Sequence, residues 1–155
     1  MLGCGAEVIV QAALLLVVLS GLPFSVADAE TFVGSVKMAQ GGALVRRGAD
    51  IIPSREGMQL LLNDVLQTSA DGRLGVILED GTRISLGPNT ELTVDRFVYQ
   101  PVEGKFGLLL RLGRGVLAYV SGRIAQFSPE SVSVETPVGI IGLRGTKFAV
   151  SIEGR

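Results

Sequence analysis

Beyond residue 30 the apolar positions recur with a period of two. Leu74, Val76 and Leu78 alternate with Arg73, Gly75 and Glu79, Ile84 and Leu86 with Arg83 and Ser85, and Leu92 and Val94 with Glu91, Thr93 and Asp95. Successive side chains of an extended chain point to opposite faces, so this alternation predicts strands with one buried face. Between the first two runs stands Asp80-Gly81, a dipeptide that tolerates the positive φ angles of a type I′ turn and so predicts a two-residue hairpin. Gly87-Pro88-Asn89-Thr90 predicts a second turn, in which proline presets φ at the first central position and asparagine accepts the second.

The pattern continues on both sides. Residues 32–38 and 43–47 flank Ala39-Gln40-Gly41-Gly42, and residues 106–112 and 116–120 flank Gly113-Arg114-Gly115, which predicts a hairpin or a sharp corner. Residues 131–135 carry Val132 and Val134 on one face, and Phe148, Val150 and Ile152 mark a last strand. Only residues 57–65 offer a helical turn, with Met58, Leu61, Leu62 and Val65 at helical spacing, although Asn63-Asp64 equally suits the end of a strand. About ten short strands with frequent turns predict an all-β domain over residues 30–155, an irregular β-sandwich or a β-solenoid-like fold.

Residues 8–22 break this style, being almost wholly apolar, and Val26-Ala27-Asp28-Ala29 follows with an A-x-A cleavage pattern. The run is shorter than the roughly 20 residues a membrane-crossing helix needs, so residues 1–29 read as a secretory signal peptide and the product as periplasmic or secreted. The alternative is an uncleaved inner-membrane anchor over residues 8–22.

Composition sharpens this picture. All 14 Lys and Arg and 13 of the 15 acids lie beyond residue 29, so removing residues 1–29 moves the net charge from −1 to +1. That balance argues against nucleic acid as a partner, since such binding draws on clustered positive charge. The chain has no histidine, and its one cysteine, Cys4, falls in the signal segment. The usual general base and the commonest nitrogen ligand for metals are therefore missing, and Ser85, Ser121, Ser128 and Ser133 have nothing to activate them. The expectation is binding rather than catalysis, with no cofactor and no metal. The 21 glycines in 155 residues, close to twice the ordinary share of roughly 7%, suit a fold with many tight corners.

Two motifs carry a resemblance. Residues 76–92, Val-Ile-Leu-Glu-Asp-Gly-Thr-Arg-Ile-Ser-Leu-Gly-Pro-Asn-Thr-Glu-Leu, resemble the central hairpin of the FecR domain family, with its acidic-glycine-Ser/Thr turn at Asp80, Gly81 and Thr82. Residues 136–148 resemble that family's closing motif, in which a Thr-Pro step, here Thr136-Pro137, leads to Arg144-Gly145-Thr146 and the aromatic Phe148. With residues 108–120 between them, the resemblance extends over about residues 33–152. It implies the periplasmic module of a sensor, without the anti-sigma segment of full-length FecR sensors, since only seven residues precede the apolar run and the chain ends soon after the last motif. It therefore implies a binding or signalling module with a protein partner in the cell envelope. The alternative is a structural or scaffold subunit of a secreted or surface assembly, which would self-associate.

Among the motif residues Arg144 stands out, because its planar fork can hold a carboxylate through two hydrogen bonds. The blander expectation is that it ties the last strand to Asp80 or Asp95. Asp80 is expected to cap its own turn. Arg46-Arg47 with Arg111 and Arg114 could form a patch for anionic polysaccharide or lipid headgroups, although arginines on alternating strand positions more often just solvate the outer face, and Phe97 and Tyr99 could anchor a partner or cover one end of the core.

Overall fold

A computed structural model describes residues 30–145 and 147–153 of the chain, so the signal segment, its cleavage site and Thr146 lie outside the described residues. The alternating segments become strands, as predicted, and further strands that the alternation did not single out, β3 to β5, join them: β1 (Phe32–Gln40), β2 (Ala43–Arg47), β3 (Asp50–Pro53), β4 (Gln59–Leu61), β5 (Val65–Thr68), β6 (Arg73–Leu78), β7 (Arg83–Leu86) and β8 (Glu91–Gln100). Then come β9 (Lys105–Val120), the short helix α1 (Arg123–Phe127), β10 (Val132–Thr136), β11 (Gly139–Gly142) and β12 (Lys147–Ile152). The all-β expectation holds, but the architecture is neither sandwich nor solenoid: the strands form one curled, open sheet, a half-barrel.

The 16-residue β9 makes the curl. Its first part pairs with β8 on one side and, in parallel, with β10 on the other. Its second part pairs with β7 and with β12. No hairpin forms at Gly113-Arg114-Gly115; the chain turns the corner alone and passes from one half of the sheet to the other. Gly115 takes φ +93 there, and a Cβ on it would lie 2.3 Å from Thr90 Oγ1, so glycine is required at the corner.

The concave side holds the core. Val45, Leu66, Leu92 and Leu112 line one half, Val76, Ile84 and Tyr119 the other, all almost fully buried. The helical turn allowed for residues 57–65 is absent: Asn63 takes φ +68 between β4 and β5, and the N–H groups of Gly57, Leu62 and Asn63 donate to Val36, Thr31 and Val94 on other segments. No helix among the described residues is long and apolar enough to cross a membrane.

Candidate functional site

The first motif is a buried knot. Gly81 alone of its pair takes positive φ, at +85, so the expected two-residue type I′ turn is replaced by a longer loop. Gly81 N–H donates to Leu78 O at 2.9 Å and Leu78 N–H to Thr82 O at 2.9 Å, a tight turn followed by a glycine bulge. The difference lets the Asp80 side chain point inward, where it is 1% exposed. Its carboxylate accepts from Thr82 N–H at 3.0 Å, Thr82 Oγ1 at 2.7 Å and Ile124 N–H at 3.2 Å. Its carbonyl accepts from Arg123 N–H at 2.9 Å. Asp80 thus caps its own turn, as expected, and also the start of α1, whose N-cap residue Gly122 offers no side chain for the purpose. Gly122 lies so close to Thr82 N that a Cβ would sit 2.3 Å from it.

Tyr119 closes the floor of this knot. Its hydroxyl is buried beside Thr82 Oγ1 without a hydrogen bond of good geometry. Burial pushes the phenol up to about 12.

The second motif lies at the surface. Thr136 and Pro137 open the tight link between β10 and β11, with Thr136 Oγ1 donating to Gly139 O at 2.8 Å. Pro137, Val138 and Ile140 are exposed, Val138 at 87% and Ile140 at 69%. Among the described residues strand β11 pairs only with β10, which leaves its other edge open. Phe148 turns inward and packs on Tyr119, ring centroids 4.8 Å apart. Arg144 is exposed on the loop before β12, at a hollow of about 280 Å³ that also takes in Glu130 and Leu143. The expected tie from Arg144 to Asp80 or Asp95 is not made. Asp80 is saturated by its own turn and α1, while Asp95 pairs with Arg111 at 2.7 Å. Gly145 O accepts from Ser121 Oγ at 3.3 Å. The two motifs are therefore not brought into one cluster; β9 and Tyr119 lie between them.

The alternative of a basic patch is broken up at two of its four arginines. Arg47 grips Asp64, a residue 1% exposed, through Nε at 2.9 Å and Nη2 at 2.7 Å, and this bond raises the guanidinium pKa. Arg111 is shared between Asp95 and Glu135. Phe97 is core, and Tyr99 starts an aromatic row in which Phe106 lies 6.3 Å away and Phe127 stacks on Phe106 at 5.4 Å. Sequence reasoning missed the Arg47–Asp64 pair and the Thr68–Thr90 lock described below; a carboxylate directly before a strand was the sole hint of the former. Among the described residues no three His, Cys, Asp or Glu side chains gather as a metal site.

No curated protein and no solved structure matches the chain. The family model described as FecR protein matches residues 64–155, starting later than the resemblance suggested, although β1 and β2 pair with matched strands β6 and β5 in the same sheet. Both motifs, the long β9 and the edge hairpin fall within the match, and the chain belongs to the FecR family.

Proposed function

We propose that the chain is a non-catalytic periplasmic binding module that meets a protein partner through the free edge of β11. FecR-type domains are periplasmic, signalling-related modules, and the apolar segment over residues 8–22 supports export. The observation that carries the reading is that β11 has an edge with no strand partner among the described residues, with exposed Ile140 on it and exposed Val138 just before it. An exposed strand edge is a ready template for an added strand, and natural sheets usually blunt theirs with charge. Here Gly139-Ile140-Ile141-Gly142 carries none.

A photo-crosslinking residue placed at position 140 in the producing cell tests this. Adducts with a different envelope protein support it, and their absence overturns it. A second reading, a structural subunit, draws on β3, the other end strand of the same half-sheet, where Ile51 is 68% exposed. Strand β11 of one copy adding to β3 of the next would build a continuous sheet. Light scattering after size exclusion separates the two, because a stable monomer at micromolar concentration counts against the subunit.

A further inference from the structure

Across the convex face one row of paired residues runs through five strands: Pro53 on β3, Leu44 on β2, Gln67 on β5, Glu91 on β8 and Arg114 on β9. It is apolar at one end and cationic at the other. In the middle Gln67 Nε2 donates to Glu91 at 2.8 Å, occupying the carboxylate that the register sets opposite Arg114. No described carboxylate lies within ion-pair distance of Arg114.

A groove of about 620 Å³ follows this row, with Leu44, Ile51 and Pro53 at one end and Ser69, Asn89 and Arg114 at the other. A second hollow of about 600 Å³ meets it at Asn89 and Arg114 and runs on past Val116 and Ser151 to Glu153. Arg114 therefore stands on the saddle between two depressions.

The saddle is held rigidly from below. Thr68 Oγ1 donates to Gly87 O at 2.6 Å and accepts from Thr90 N–H at 3.0 Å. Thr90 Oγ1 accepts from Val116 N–H at 2.9 Å, and Asn89 N–H donates to Ser69 O at 3.0 Å. These bonds clamp the turn that carries Asn89, at φ +52, against the β9 corner that carries Arg114. The backbone positions that carry the cation and the amide are thus set before any ligand arrives, which lowers the ordering cost of binding.

We propose that this groove binds an extended acidic segment of a protein partner, with an apolar side chain against Leu44, Ile51 and Pro53 and a carboxylate on Arg114 and Asn89. The inference rests on the protein-binding reading above and adds the chemistry of what is bound. Five strands spaced at about 4.8 Å make the row roughly 19 Å long, about six residues of extended chain. Charge selects the occupant: one guanidinium fork matches one carboxylate.

The test uses the purified chain and a terminally blocked octapeptide of alternating Val and Glu, with its Val-Gln counterpart and phosphatidylglycerol vesicles as further probes. The Val-Glu peptide is expected to bind at least tenfold more tightly than the Val-Gln one and to shift the backbone amides of Leu44, Ser69, Asn89 and Arg114 in NMR spectra. Arg114→Gln should erase that preference while leaving the melting temperature unchanged, and Ile51→Asp should weaken both peptides. Equal affinity for the two peptides, undiminished preference in Arg114→Gln, shifts confined to other surfaces, or vesicle binding in place of peptide binding would overturn the proposal. If the peptide fails while cross-links at position 140 persist, the groove is wrong and the binding module stands. Peptide binding without those cross-links supports the groove and removes the edge.

Discussion

The two motifs that carry the family resemblance have opposite physical situations. Asp80 and Thr82 are buried and satisfied: every oxygen of the Asp80 carboxylate has a donor, and the turn is welded to α1. Thr136, Pro137 and Arg144 lie on a hairpin and loop whose outer side faces solvent. One motif is framework and the other is surface, although both stand out equally along the chain. The lesson is that a recognisable motif marks a constraint without saying whether the constraint is packing or recognition; burial separates the two.

This contrast can be broken by substitution. Asp80→Ala should have the largest effect, about 2–4 kcal/mol by chemical denaturation, because it strands buried donors at Thr82 and Ile124. A loss below about 0.5 kcal/mol would mean that the knot is not framework. Gly115→Ala should cost about 2–3 kcal/mol, since its Cβ would meet Thr90 Oγ1 and the positive φ strains any other residue; unchanged denaturation would show that the corner can relax. Arg144→Lys should leave the melting temperature within about 2 °C, as usual for an exposed residue with no ion-pair partner among the described residues, and a larger drop would restore a structural role to it.

Tyr119 sharpens the comparison from the side of pH. Its folded pKa is raised to about 12 against an ordinary value near 10. The unfolded chain therefore loses this proton first as pH rises, so the contribution is complete below pH 10 and disappears by about pH 12. Tyr119→Phe should flatten that part of the stability curve. At neutral pH it should change stability by less than about 1 kcal/mol, because the hydroxyl it removes has no hydrogen bond of good geometry. Retention of the full alkaline slope in the variant would assign it to other groups.

Much of the fold was legible because period two is a local property. The strands at Leu74–Leu78, Ile84–Leu86 and Leu92–Val94 needed nothing beyond their own alternation. What was hidden depends on distant partners. Helix α1 has five residues, a glycine N-cap and no capping side chain, so no sequence signal announces it; Asp80, 44 residues upstream, supplies its cap. Gly113-Arg114-Gly115 left hairpin and corner open, and only the pairing of β9 with two different sets of neighbours decides between them. The knot at Asp80 was half visible, as a turn cap, while its reach to α1 was not. The groove at Arg114 was invisible because its row takes one residue from each of five strands.

The shared strand β9 has a further consequence, in the order of assembly. Among the described residues β12 adds to β9 alone, and β10 with its hairpin partner β11 reaches the sheet only through β9. The whole C-terminal edge therefore has no template until residues 105–120 are seated between β8 and β7. Pairings so distant along the chain close slowly, and a strand flanked on both sides along its length is the last to release its amides to solvent. β9 should thus be the slowest-exchanging element, with the edge that follows it forming last and opening first, so that access to β11 tracks the completeness of folding.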